Sequence, residues 1–257
     1  MAPADGNANS QEILYGLHAV REALKAANRP LQRVLVLRTD KQFTDIVQLA
    51  RSRRIPIHVQ PIASLDRLVP SGKHQGVVAV TSARAYQTEE SILARAAQRH
   101  EAPLLVILDG VEDPHNLGAV LRTAEGAGAH GVIIPERRAA GLTPVVAKVS
   151  AGAIDHIPVA RVTNISRSIE SLKAAGVWIY GVTPSAKKIY TDLNLREPIG
   201  LVLGGEGPGI RPGVLQHCDD CVRIPLKGRV QSLNVSAAAA IVLYEAVRQR
   251  DQKNEQP

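Results

Sequence analysis

Three stretches of this chain gather side chains that could hold a small molecule and act on it. The first runs Leu108-Asp109-Gly110-Val111-Glu112-Asp113-Pro114-His115-Asn116-Leu117-Gly118-Ala119-Val120-Leu121-Arg122-Thr123-Ala124. An apolar run ends at Leu108, a polar loop follows, and helical spacing starts near Asn116. Ligands in open α/β sheets sit beyond the carboxyl ends of strands, so this loop is well placed. The plain alternative is that Asn116 is a helix N-cap and Arg122 a surface charge. The second stretch is Leu203-Gly204-Gly205-Glu206-Gly207-Pro208-Gly209-Ile210. Glycine permits positive φ and close approach of a ligand to the backbone. Four glycines around one carboxylate exceed what a sharp turn needs. The third is Ile224-Pro225-Leu226-Lys227-Gly228-Arg229-Val230-Gln231-Ser232-Leu233-Asn234-Val235-Ser236, followed by four alanines. Any of Ser232, Asn234 and Ser236 can cap the helix that follows, but a cap accounts for one polar residue and not three.

Other patterns carry less. Gly126-Ala127-Gly128-Ala129-His130-Gly131 matches a dinucleotide fingerprint, but it follows a helix and precedes a strand, the reverse of that context. It reads as a helix end and turn. Cys218 and Cys221 form a C-x-x-C with no second pair to complete a zinc site.

The elements that must position these stretches alternate strand and helix, the rhythm of an α/β fold. Over 101–250, strands are expected at 104–108, 131–134, 177–182, 200–203 and 221–224. Helices are expected at 117–127, 144–153, 165–175, 212–217 and 235–250. Short, wholly apolar strands such as Leu104-Leu105-Val106-Ile107-Leu108 imply a parallel sheet covered on both faces. Residues 11–82 read as a smaller α/β module, with helices over 17–27, 43–53 and 65–69 and strands over 33–37, 55–59 and 76–80. Residues 83–100 read as a linker or connecting helix, and 1–10 and 251–257 as disordered tails.

Hydrophobic residues make up 45% of the 257 and aromatics 3%, so the core must be aliphatic. Two cysteines exclude a disulfide scaffold. The absence of a run of about 18 apolar residues argues against a membrane span, and the polar N-terminus lacks a signal-peptide pattern, which points to the cytoplasm. The net charge is +7. Residues 11–100 carry 14 basic against 7 acidic side chains, whereas 101–257 carry 17 against 16. A basic module on a near-neutral body suits a polyanionic partner.

Taken in order, the three stretches resemble the motifs of the SpoU, or TrmH, family of RNA ribose 2′-O-methyltransferases. Tyr15-Gly16-Leu17-His18-Ala19-Val20-Arg21-Glu22-Ala23-Leu24 and His74-Gln75-Gly76-Val77 look like the substrate-binding extension of the branch that methylates a guanosine in 23S rRNA. The resemblance implies a SPOUT-type catalytic domain with a deep trefoil knot over 101–250. It implies an L30e/L7Ae-like RNA-holding domain over 11–82, and a homodimer. It also implies S-adenosylmethionine as cofactor, near Gly204, Ile224 and Leu233, with Asn116, Arg122, Glu206, Ser232 and Asn234 around the acceptor hydroxyl. No metal or covalent nucleophile is needed for such a displacement. A guanidinium stays protonated to above about pH 12, so Arg122 fits an electrostatic holder of the developing alkoxide better than a base. The same chemistry on tRNA or another rRNA site, and a non-catalytic RNA-binding or ribosome-assembly role, are the competing readings.

Overall fold

The computed structural model describes residues 11–26, 31–69, 72–82 and 85–252. Residues 1–10 and 253–257, most of the expected tails, lie outside them; Asp251 and Gln252 continue and close the last helix. The chain divides into two compact units, Met1–Ala85 with Leu142–His156, and Tyr86–Gly141 with Ile157–Pro257.

In the first unit β1 (Gln11–Tyr15), α1 (Leu17–Ala26), β2 (Leu31–Val36), α2 (Thr44–Ser52), β3 (Ile57–Val59), α3 (Ile62–Leu68) and β4 (Val77–Ser82) follow in sequence. The sheet order is β1-β4-β2-β3, antiparallel except for the β2–β3 pair. Helix α1 buries Ala19, Val20, Ala23 and Leu24, one stripe of a 3.6-residue period. His74 and Gln75 have structural partners here. The Nδ1 of buried His74 accepts from the Gly76 N–H at 3.0 Å and its Nε2 meets Asp66 at 3.1 Å, while Gln75 Oε1 accepts the Leu17 N–H at 3.0 Å. Gly76 has φ +78, and a Cβ there would press on the Phe43 ring at 2.8 Å.

The second unit begins with α4 (Glu89–Gln98), which makes the expected connecting segment helical. Then come β5 (Leu104–Asp109), α5 (Pro114–Gly126) and β6 (Gly131–Pro135). Next is α6 (Pro144–Val149), which belongs to the first unit. The chain returns through β7 (Val159–Val162), α7 (Ile165–Ala174), β8 (Trp178–Val182), β9 (Lys188–Ile189), β10 (Ile199–Gly204), α8 (Pro212–Leu215), β11 (Asp220–Arg223) and α9 (Val235–Asp251). The seven strands are ordered β7-β6-β5-β10-β8-β11-β9 and every pairing is parallel. All of β5 and β6 is buried, as a sheet covered on both faces requires.

Sequence periodicity misplaced several elements. Strands β1, β7 and β9 were not expected, since they are short and carry polar residues within or beside them. The helix expected over 144–153 stops at Val149, because Ala151 and Gly152 turn to positive φ. A Cβ at Gly152 would collide with the Glu22 side chain, and Lys148 lies 5.0 Å over the Tyr15 ring. Those contacts explain why 142–156, read from sequence as part of the 101–250 region, pack in the first unit.

Buried His130 ties β5 to the turn before β6. Its Nδ1 accepts the Leu104 N–H at 3.0 Å and its Nε2 meets Glu101 at 3.0 Å. Burial lowers its pKa below the usual histidine value, against the pull of Glu101. A depressed histidine stabilises the fold fully above its unfolded value of about 6.5 and loses that contribution as pH falls toward the folded value. The melting temperature is therefore expected to fall from pH 7.5 to 5, and less so in His130→Gln; a pH dependence identical in the two proteins would contradict this assignment.

Candidate active site

The site forms where β5 and β10 lie side by side and end together, with Gly204 paired to Asp109. Asp109 fixes the glycine-rich loop at both ends. Its carbonyl accepts the Gly205 N–H at 2.8 Å, and its buried carboxylate accepts the Arg211 N–H at 2.8 Å and the Arg211 guanidinium at 2.6 and 2.8 Å. Glycine is required where the loop begins. A Cβ on Gly204 would fall on the backbone of Gly209 and Ile210, and one on Gly205 on the Gly110 carbonyl.

Helix α5 starts earlier than expected. Asp113 is its cap, accepting the His115 N–H at 2.8 Å, and Pro114 opens the first turn. Asn116 is thus not the cap, and its side chain is free to bridge two other segments. Its Nδ2 donates to Glu206 in a short contact, and its Oδ1 accepts from Asn234 Nδ2 at 3.0 Å. Asn234 caps α9 with its Oδ1, which accepts the Ser236 N–H at 2.8 Å. Its amide nitrogen is left to reach Asn116. Helix α9 packs on α5, so the two asparagines meet across that contact.

A cavity of about 430 Å³ lies beside this chain of amides. The loop 203–210 forms one wall, and Ile224, Leu226, Ser232, Leu233, Asn234, Val235 and Ala238 form another. Val182, Thr183 and Pro184 complete it. Gly204, Ile224, Leu233, Glu206, Ser232 and Asn234 are thus together. A second, polar cavity of about 280 Å³ is lined by Asn116 and the loop 110–113, and it shares Glu206 and Val235 with the first. Arg122 stands apart: it is exposed, lines neither cavity, and has no hydrogen bond or ion pair among the described residues.

Sequence reasoning did not single out the Asp109–Arg211 clamp or the 182–184 wall. A carboxylate closing an apolar strand was the one available sign of the clamp, and Arg211 follows the glycines by two residues. Cys218 is no nucleophile at ordinary pH, since burial pushes its thiol up to about 12.

The cavity suits a nucleoside-sized cofactor. Its volume falls in the range of small-ligand sites, about 300–1,000 Å³. It offers main-chain groups of a glycine loop, the aliphatic faces of Ile224, Leu226 and Leu233, and a carboxylate, Glu206, able to face a positive centre.

Fold and site together define a parallel α/β protein with a cofactor-sized cavity at the strand ends, and comparison with known proteins gives its family. Residues 103–244 match the SpoU rRNA Methylase family, and residues 13–87 match the RNA 2′-O ribose methyltransferase substrate binding family. The chain belongs to the SpoU methylase family and is an S-adenosylmethionine-dependent RNA methyltransferase. It is 42% identical over 241 residues to a putative TrmH family tRNA/rRNA methyltransferase, YacO, of Bacillus subtilis, covering 93% of this chain and 96% of that one. It is also 42% identical over 242 residues to the 23S rRNA (guanosine-2′-O-)-methyltransferase RlmB of Pectobacterium atrosepticum, covering 93% and 98%. Among solved structures it is similar to the SpoU methyltransferase AviRb of Streptomyces viridochromogenes in complex with AdoMet, with 28% identity, TM-score 0.79, and coverage of 94% and 91%. Among the described residues no helix is long and apolar enough to cross a membrane.

Proposed function

We propose that this enzyme methylates the ribose 2′-hydroxyl of a guanosine in 23S rRNA, in the cytoplasm. The observation that carries the chemistry is the Glu206–Asn116–Asn234 chain at the border of two cavities, one sized for a cofactor and one polar. The guanosine in 23S rRNA rests on near full-length similarity to the Pectobacterium protein.

Bound S-adenosylmethionine supplies an electrophilic methyl carbon. This chain must align the acceptor with it, and alignment alone can supply a large share of the rate. Asn116 and Asn234 fix the Glu206 carboxylate and present an amide edge to the ribose. Ser232 adds a hydroxyl on the cofactor side. Arg122 would hold the developing alkoxide and a neighbouring phosphate, once RNA or a second copy brings that charge to it. Its exposed position supports a homodimeric enzyme. The domain reading, with RNA held by 11–82 and methyl transfer by 101–250, agrees with the two family matches. The knot is supported by β10 entering the sheet between β5 and β8 while 224–235 returns to line the same cavity.

The test is to map 2′-O-methyl groups on RNA from cells with and without the gene. Loss of one guanosine methylation in 23S rRNA is expected. Loss confined to tRNA would replace the acceptor, and no loss anywhere would leave the RNA-binding or ribosome-assembly reading.

A further inference from the structure

The first unit carries a groove between its edge strand and α3. Strands expose alternate residues on one face, which puts Arg33 and Leu35 of β2 beside His58 of β3, with Gln60 just past the end of that strand. Helix α3 lays Ser64, Arg67 and Leu68 across them, spaced i, i+3, i+4. These seven residues line a groove of about 480 Å³ with no carboxylate in it.

Four other cations of this unit are already engaged. Arg21 pairs with Asp45, Lys25 with Glu22 at 3.0 Å and Arg38 with Asp40 at 2.6 Å, while Arg53 donates to the Ala23 and Leu24 carbonyls at 2.9 and 3.0 Å. Arg33 has no hydrogen bond or ion pair among the described residues, and Arg67 reaches only the Ala63 carbonyl of its own helix, at 3.3 Å. The nearby Asp66 carboxylate is held by His74 at 3.1 Å.

We propose that this groove is where the first unit grips the RNA, with Arg33 and Arg67 on the phosphates of a single-stranded segment. The proposal rests on the RNA-methyltransferase reading and adds the face that meets the substrate. Charge complementarity selects the occupant: two guanidiniums with no acidic partner, a histidine and an amide, with no acid among them, fit a polyanion. No Phe, Tyr or Trp lines the groove, so it lacks the large aromatic platforms on which runs of bases stack. Its two guanidiniums therefore position the backbone, and contacts to phosphates carry no sequence information of their own.

The experiment measures binding of labelled single-stranded RNA of mixed sequence to the full chain across a salt series. Wild type is compared with Arg33→Ala/Arg67→Ala and, as a control removing equal charge from exposed sites of the same unit, Lys41→Ala/Arg51→Ala. Two lost phosphate contacts should lower the slope of log K against log salt by about 1.4 and weaken binding roughly tenfold at low salt. The control should keep the wild-type slope, and S-adenosylmethionine affinity and melting temperature should not change in either variant. An unchanged slope in the groove variant, an equal loss in the control, or wild type that binds no RNA would overturn the groove. A wild type that binds RNA and cofactor yet transfers no methyl to unmodified 23S rRNA or tRNA would overturn the methyltransferase reading and leave the groove standing.

Discussion

Gly205→Ala is expected to weaken S-adenosylmethionine binding by about 100-fold or more, which is about 2.7 kcal/mol. The added methyl group falls on the Gly110 carbonyl, a backbone atom that cannot swing aside as a side chain would. Relief requires the loop to move, and that breaks the Gly205 N–H bond to the Asp109 carbonyl. Overpacking costs about 1–3 kcal/mol and a lost backbone hydrogen bond about 1 kcal/mol, so the sum reaches the expected figure. The cavity wall and the Glu206 carboxylate ride on this loop, so the loss is read in cofactor affinity by calorimetry. Gly213→Ala is the control, because a Cβ there meets nothing within 4 Å and its φ is not positive. Equal cofactor affinity in Gly205→Ala and wild type would show that the loop does not form the cofactor wall.

The parts of this molecule legible in its sequence are those set by short-range chemistry. Leu104–Leu108 is a buried parallel strand because nothing polar interrupts it. Gly126–Gly131 is a helix end and turn because Gly128 takes φ +71. The less legible parts depend on partners distant in sequence. Asn116 stands six residues before Arg122, off the same helical face, and only the family resemblance joined the two; in the fold Asn116 bonds to residues 90 and 118 positions away, and Arg122 does not join them. Asp109 read as the first residue of a polar loop; in the fold it closes β5, and Arg211, 102 residues on, makes it a clamp. The helix start moved by two to three residues because Asp113-Pro114 is a better cap and first turn than Asn116-Leu117. That displacement changes the chemistry, since it converts Asn116 from a cap into a bridge between the glycine loop and α9.

Arg122→Ala is expected to lower methyl transfer by about 1,000-fold, the upper range for removing one donor to a developing oxyanion. Its exposure makes the test clean: a side chain with no hydrogen bond or ion pair among the described residues can be truncated without opening the core. Cofactor affinity should hold as well, because Arg122 lines neither cavity. The split between kinetic constants then identifies the role. A fall in kcat and kcat/KM together means an interaction made in the transition state, whereas a rise in KM alone means that Arg122 merely holds RNA. Arg122→Lys should recover little, because an ammonium keeps the charge but not the planar fork that can span an alkoxide and a phosphate. Near-normal turnover in Arg122→Ala would remove this residue from the chemistry and leave Glu206, fixed by Asn116 and reached through Asn234, as the charged group at the acceptor.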